Sequence, residues 1–110
     1  MVNISLAFGT RLSYRDYDCG NMASLVSGHA FRKVFLSSYD NKGVWNKEYI
    51  PVITLNFQEV VTLSPSFANE AFAYFRKYGS IKQVLGAFRF VNITKMQRAV
   101  IEYEIMVGYS

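Results

Sequence analysis

Apolar and polar residues alternate from the first positions of the chain: Ile4, Leu6 and Phe8 are separated by Ser5 and Ala7. That period of two predicts a strand over residues 2–7. Gly9-Thr10-Arg11 breaks it, and residues 10–20 are polar and aromatic without a period. From Asn21, a candidate N-cap, Val26, Ala30 and Val34 recur on one line with Phe31 and Phe35 beside it, which predicts a helix to about residue 38. Asp16 and Asp18 ahead of it and Arg32-Lys33 near its end suit its dipole. Gly28 is expected to weaken it by about 1 kcal/mol relative to alanine. Asp40-Asn41-Lys42-Gly43 is a turn signal inside a polar connection, residues 38–50.

Residues 52–57, Val-Ile-Thr-Leu-Asn-Phe, are short, β-branched and apolar on both faces, the pattern of a central strand in a covered parallel sheet. Pro51 precedes the strand, where no ladder bond is lost. Ser64-Pro65 then gives an N-cap followed by proline at the first helical position. Phe67, Ala71, Phe75 and Tyr78 continue at helical spacing, with Ala68 and Phe72 widening the face and Gly79 as the stop, predicting a helix over 65–78. A strand over 87–92 follows. Thr94 and Gln97 form a capping box for a helix over 95–107, in which Met96, Ala99, Val100, Tyr103 and Val107 keep helical spacing. Strand and helix alternate three times. The expected fold is therefore one small α/β sandwich spanning residues 1–110, with a mostly parallel or mixed central sheet and about three helices.

Composition narrows the function. With 110 residues and 51% hydrophobic side chains, the chain suits one domain with a real core. The net charge of +4 is spread evenly, six basic and four acidic groups in each half, with no run of Lys and Arg. A nucleic-acid binder concentrates its charge, so nucleic acid is the least supported partner class. The single Cys19 excludes an intrachain disulfide, and Asp16 and Asp18 beside it disfavour a reactive thiolate. Met1-Val2-Asn3-Ile4 does not open a signal peptide and no stretch approaches a membrane span, so a cytoplasmic location away from membranes is expected. The sequons at Asn3 and Asn92 are then accidental.

No pattern of catalytic residues emerges. His29 is the only histidine, no metal-ligand spacing exists, and the glycines do not form a phosphate loop. The expectation is a non-enzyme without a metal or other cofactor. Trp45, Tyr39 and Tyr49 in the 38–50 connection serve equally well as binding anchors or as cover for the sheet edge.

Residues 52–70, Val-Ile-Thr-Leu-Asn-Phe-Gln-Glu-Val-Val-Thr-Leu-Ser-Pro-Ser-Phe-Ala-Asn-Glu, resemble the central motif of the STAS-like domain family of unknown function. That family has an apolar strand ending in Asp-Phe, a short turn with a valine, and a helix opening Ser-x-Ser-Phe-Ala-Asp-Glu. An arginine-containing segment follows its first strand, for which Gly9-Thr10-Arg11 and Ser13-Tyr14-Arg15 are both candidates. The resemblance is specific over roughly 20 residues. It implies relatedness to STAS domains, including anti-sigma factor antagonists. Those are small regulatory modules that bind a histidine-kinase-like ATPase, which phosphorylates a serine at the start of the equivalent helix. Here Pro65 occupies that serine's position, so the switch does not carry over at that residue; Ser64 and Ser66 flank it as alternatives. Asn56 and Asn69 replace acids of the family pattern.

The partner-binding surface expected from the residues and the resemblance together comprises Arg11, Arg15, Ser64, Ser66, Asn69 and Glu70. A phosphate on Ser64 or Ser66 would sit at a helix N-terminus, while the plain role of Ser64 is to cap. Glu70, placed in the first turn, would favour the dipole or order the Arg11 or Arg15 segment through a charge-assisted bond. The alternatives are a small-ligand or nucleotide site at the same helix N-terminus and, after it, a basic nucleic-acid-binding domain. Self-association is compatible with all three.

Overall fold

The computed structural model describes residues 1–16 and 26–110. Asn21 as an N-cap and the surroundings of Cys19 lie outside the described residues. The α/β character is as expected, but the segmentation is finer. In chain order the elements are β1 (Val2–Asn3), α1 (Ile4–Ala7), β2 (Arg11–Leu12), α2 (Gly28–Phe35), a 3₁₀ turn (Ser37–Tyr39) and α3 (Lys42–Trp45). Next come β3 (Ile53–Asn56), β4 (Thr62–Leu63), α4 (Pro65–Ala71), a second 3₁₀ segment (Ala73–Lys77), α5 (Ile81–Gly86), β5 (Phe88–Val91) and α6 (Lys95–Val107). Among the described residues six α-helical segments stand where about three helices were expected.

β3 is the middle strand of a parallel three-stranded sheet, order β1-β3-β5, with Leu55 opposite Phe90 and Val2 opposite Leu55. β2 and β4 form a separate parallel ribbon, Arg11 opposite Thr62. The strand predicted over 2–7 is cut short. After Asn3 the chain coils, the Phe8 N–H donating to the Ile4 carbonyl at 2.9 Å. In a helical turn Ile4 and Phe8 share a face while Leu6 does not. Accordingly Ile4 is fully buried and Leu6 is 81% exposed.

The helix predicted over 65–78 is real but changes pitch. α4 ends at Ala71 and the chain tightens into the 3₁₀ segment. At three residues per turn, Phe72 and Phe75 fall on one line. Both are fully buried, Phe72 edge-on against Phe88 and Phe90 at 5.3 and 5.8 Å between ring centroids. Phe75 stacks on Trp45 at 5.6 Å. Gly79 follows where a Cβ would lie 2.8 Å from Trp45 Cε3, so close approach of the backbone to the indole explains the glycine. α5 was not anticipated. It carries a full capping box between Ser80 and Gln83, visible in the sequence as Ser-x-x-Gln.

The helix predicted to begin after Asn21 is described from Gly28, capped by Ser27, whose Oγ accepts from the Ala30 N–H at 3.0 Å. α2 packs on α4, and α4 on α6. A Cβ on Gly28 would stand 2.6 Å from the Phe67 carbonyl oxygen. Its cost to helix propensity is therefore what permits the α2–α4 contact. α6 spans 95–107 as predicted, with its Thr94–Gln97 capping box formed. Tyr39 and Trp45, left open between anchor and cover, are buried; the Trp45 indole N–H donates to the Tyr39 carbonyl at 2.8 Å. Tyr49 is 82% exposed.

Candidate functional site

The predicted site residues separate into two groups. Asn69 and Glu70 belong to a buried polar cluster between α2, α4 and the end of the chain. Glu70 is 4% exposed and Arg32, from α2, 3%. The Arg32 guanidinium donates to Glu70 Oε2 at 2.8 Å and to the Glu70 carbonyl at 3.2 Å, lies over the Tyr74 ring 3.6 Å from its centroid, and stands 3.7 Å from Asp40. Arg15 Nε lies 3.5 Å from Glu70 Oε1, and the Tyr109 hydroxyl donates to that oxygen at 3.0 Å. His29 Nδ1 is 3.9 Å from both Glu70 and Asp16. The carboxylate is thus compensated by two guanidinium groups and a phenol. Sequence reading missed Arg32, whose pairing with Glu70 spans 38 residues.

Glu70 is not in the first turn of α4, as expected, but is the sixth of its seven residues. A carboxylate near a helix C-terminus opposes the dipole. Arg32 supplies the charge that holds it there.

Asn69 is 2% exposed and uses every group of its amide. Its Oδ1 accepts from Arg15 Nη2 at 3.1 Å and from the Ser110 N–H at 3.2 Å; its Nδ2 donates to Glu104 Oε1 and to the Gly108 carbonyl, both at 3.0 Å. Arg15 also donates to the Ser110 carbonyl. Aspartate at this position would have no donor for Glu104 or Gly108. Asn56 repeats the logic across the carboxyl ends of the sheet: its Nδ2 donates to Asn3 Oδ1 at 2.6 Å, while its Oδ1 accepts from the Gln58 N–H and Asn92 Nδ2, both at 3.0 Å. Of the two arginines considered as partners of Glu70, Arg15 is the one beside its carboxylate, at 3.5 Å. Arg11 is exposed and lies apart, on β2.

The second group surrounds the β2–β4 ribbon. Ser64 Oγ caps α4 by accepting from the Phe67 N–H at 3.1 Å and donates to the Ser13 carbonyl at 2.7 Å. Pro65 at the first helical position has no N–H, so two of the donors an anion would need at this short helix are absent or taken. Ser66 is exposed. On the β2 side of the ribbon a cavity of about 370 Å³ is lined by Gly9, Thr10, Arg11, Ser13, Tyr14 and Val26. On the β4 side a groove of about 330 Å³ runs between Val61, Leu63, Met96 and Val100. It continues past Pro65 into one of about 430 Å³ against Ala99 and Tyr103. The side chains around the ribbon are mainly apolar and open: Val61 is 64% exposed, Tyr14 43% and Met96 79%.

Among the described residues no three His, Cys, Asp or Glu side chains group as metal ligands, and no helix is long and apolar enough to cross a membrane. No family model, no curated protein and no solved structure matches the chain.

Proposed function

We propose that this domain is a non-enzymatic regulatory module of STAS-like type that binds another protein through the β2–β4 ribbon and the opening of α4. The observation that carries the reading is the apolar surface on both sides of that ribbon, where Tyr14, Val61 and Met96 stand open, with Arg11 lining the same cavity as Tyr14 and Ser66 exposed at the opening of α4. Exposed apolar patches rimmed by polar groups are what protein partners cover. The groups that would otherwise suggest chemistry point the same way: the Glu70 carboxylate, the Asn69 amide and the Ser64 hydroxyl are each engaged in internal bonds. The resemblance over residues 52–70 supplies the partner class, a histidine-kinase-like ATPase. Of the two serines beside Pro65, Ser66 is the one whose hydroxyl stands open to such an enzyme. Asn69 and Glu70 are buried in their own cluster and do not touch the partner.

The test is capture of interacting proteins from native-level cells with the wild-type chain, Tyr14→Glu, Val61→Glu and, as a distant control, Tyr49→Glu. The expected result is an ATPase of the kinase-like class retained by wild type and the control and lost with the two ribbon variants. Recovery of no protein, or capture indifferent to the ribbon variants, would overturn the reading.

A further inference from the structure

Residues 108–110 are held against the rest of the chain as a peptide ligand is held. Gly108, at φ +95°, turns the backbone off the end of α6. Asn69 then reads the backbone on either side of Tyr109: its Nδ2 donates to the Gly108 carbonyl at 3.0 Å and its Oδ1 accepts from the Ser110 N–H at 3.2 Å. That is the pairing of a parallel strand, in which one residue bonds to the carbonyl before and the N–H after the residue opposite it. Arg15 adds a bond to the Ser110 carbonyl. The side chain between these contacts is read separately. The Tyr109 ring lies 5.3 Å from the Arg15 guanidinium and edge-on to Tyr74 at 5.1 Å between centroids, and its hydroxyl donates to Glu70 Oε1 at 3.0 Å. Receptor and strap differ in how firmly they are fixed. Asn69 and Glu70 are 2% and 4% exposed on α4, and Arg32 holds the Glu70 carboxylate at 2.8 Å. Tyr109 is 42% exposed, Ser110 is exposed, and neither belongs to the apolar core. A short exposed segment held by a few polar bonds opens at low free energy while the packed helix beneath it stays formed.

We infer that Asn69, Arg15 and Glu70 form a binding site for an extended, tyrosine-bearing segment of another protein, and that residues 108–110 fill it in cis as a strap. The contacts define the ligand. Its residues on either side of the tyrosine are recognised through their backbone groups, so their side chains are free to vary. The tyrosine is required. Phenylalanine would leave Glu70 Oε1 without its phenolic donor, and phosphotyrosine would set about two negative charges against that carboxylate. An incoming segment must displace the strap, whose effective concentration at the site is in the millimolar range of a short tether. The strap therefore sets a threshold that only a concentrated or pre-docked partner segment passes. This inference does not rest on the ribbon reading: it is a second contact, made by residues that the ribbon contact leaves untouched.

The test is NMR of the whole isotope-labelled chain, following the Asn69 side-chain amide while a blocked Val-Gly-Tyr-Ser peptide is added to about 5 mM, above the effective concentration of the strap. Tyr109→Ala removes the ring of the strap while Arg32 stays against Glu70, and it should bind the peptide about tenfold more tightly than the wild-type chain. Ser110→Pro deletes the N–H that Asn69 accepts and should act in the same direction without touching the core. In Tyr109→Ala a phenylalanine version of the peptide should bind at least about tenfold more weakly, and a phosphotyrosine version should leave the amide signal in place. Val61→Glu, at the ribbon, should bind the peptide as the wild-type chain does, so the failure of one reading is told apart from the failure of the other. An Asn69 amide that responds in neither strap variant, strap variants that bind no better than wild type, or equal binding of the tyrosine, phenylalanine and phosphotyrosine peptides would overturn the inference.

Discussion

Glu70 holds three separate parts of the chain at one carboxylate: Arg32 on α2, Arg15 after β2, and Tyr109 after α6. Taking a guanidinium and a carboxylate out of water is costly, and the cost is met only while both are present. Glu70→Ala should therefore lower the unfolding free energy by about 3–5 kcal/mol, because the buried Arg32 would lose its 2.8 Å partner and keep only the more exposed Asp40, at 3.7 Å, as a counter-charge. Combining Arg32→Met with Glu70→Leu should recover much of that loss. Urea denaturation of the three proteins checks both statements, and a double variant as unstable as Glu70→Ala would show that the ion pair is more than compensated charge. Little of this cluster is legible in the sequence. Glu70 and Arg15 stand out as charges in an apolar context, but their meeting with Arg32 depends on how α2 lies across α4. The same holds for Asn56 and Asn69: nothing near them in the sequence shows that their amides donate to Asn3 Oδ1, Glu104 and the Gly108 carbonyl.

At the scale of elements, the local rules worked wherever a signal lay within a few residues. Ser64-Pro65 and Thr94-x-x-Gln97 each start the helix they predict, and their side-chain oxygens accept from the N–H groups of Phe67 and Gln97. The two-residue strands β2 and β4 carry no period and pair across 51 positions, so nothing local announces them. Gly28 separates propensity from packing. In a helix interior, where the sequence pattern put it, alanine would be favoured over glycine by about 1 kcal/mol, whereas Gly28 is the first residue of α2. In this fold a Cβ would meet the Phe67 carbonyl at 2.6 Å and Glu70 Cβ at 3.0 Å. Gly28→Ala should thus destabilise the protein by about 1–3 kcal/mol, the usual cost of overpacking, despite the gain in helix propensity. A thermal melt that rises on this substitution would mean that α2 and α4 are not in contact at Gly28.

At the scale of the whole molecule, the resolved shifts in acidity among the described residues all lie on the alkaline side. Burial raises the Tyr39 phenol above its ordinary value near 10; burial, and then the bond to Glu70, raises Tyr109. The bond to Asp40 raises Tyr78, and the Tyr74 hydroxyl beside it raises the Lys77 ammonium. A group whose value is higher folded than unfolded stabilises fully below the unfolded value, and that contribution disappears as pH rises through the folded one. Stability should accordingly hold to about pH 10 and decline above it, as Tyr109 would place a phenolate against the Glu70 carboxylate. The decline should be shallower in Tyr109→Phe, read as the urea midpoint against pH alongside the phenolate absorbance. A midpoint unchanged to about pH 11.5 would contradict the assignment.

By itself the sequence determined the fold class, the middle position of β3, the extent of α6 and the start of α4, because these follow from hydrophobic period and from capping residues within four positions of one another. Tertiary structure decided the rest: where β1 gives way to a helical turn, why α4 tightens so that Phe72 and Phe75 share a line, which charges are buried, and which apolar faces stay open. Those outcomes depend on contacts between residues tens of positions apart. Whether Met96, Tyr103 and Met106 point into the core or away from it is set by the rotation of α6 against α4, and no local pattern records that rotation.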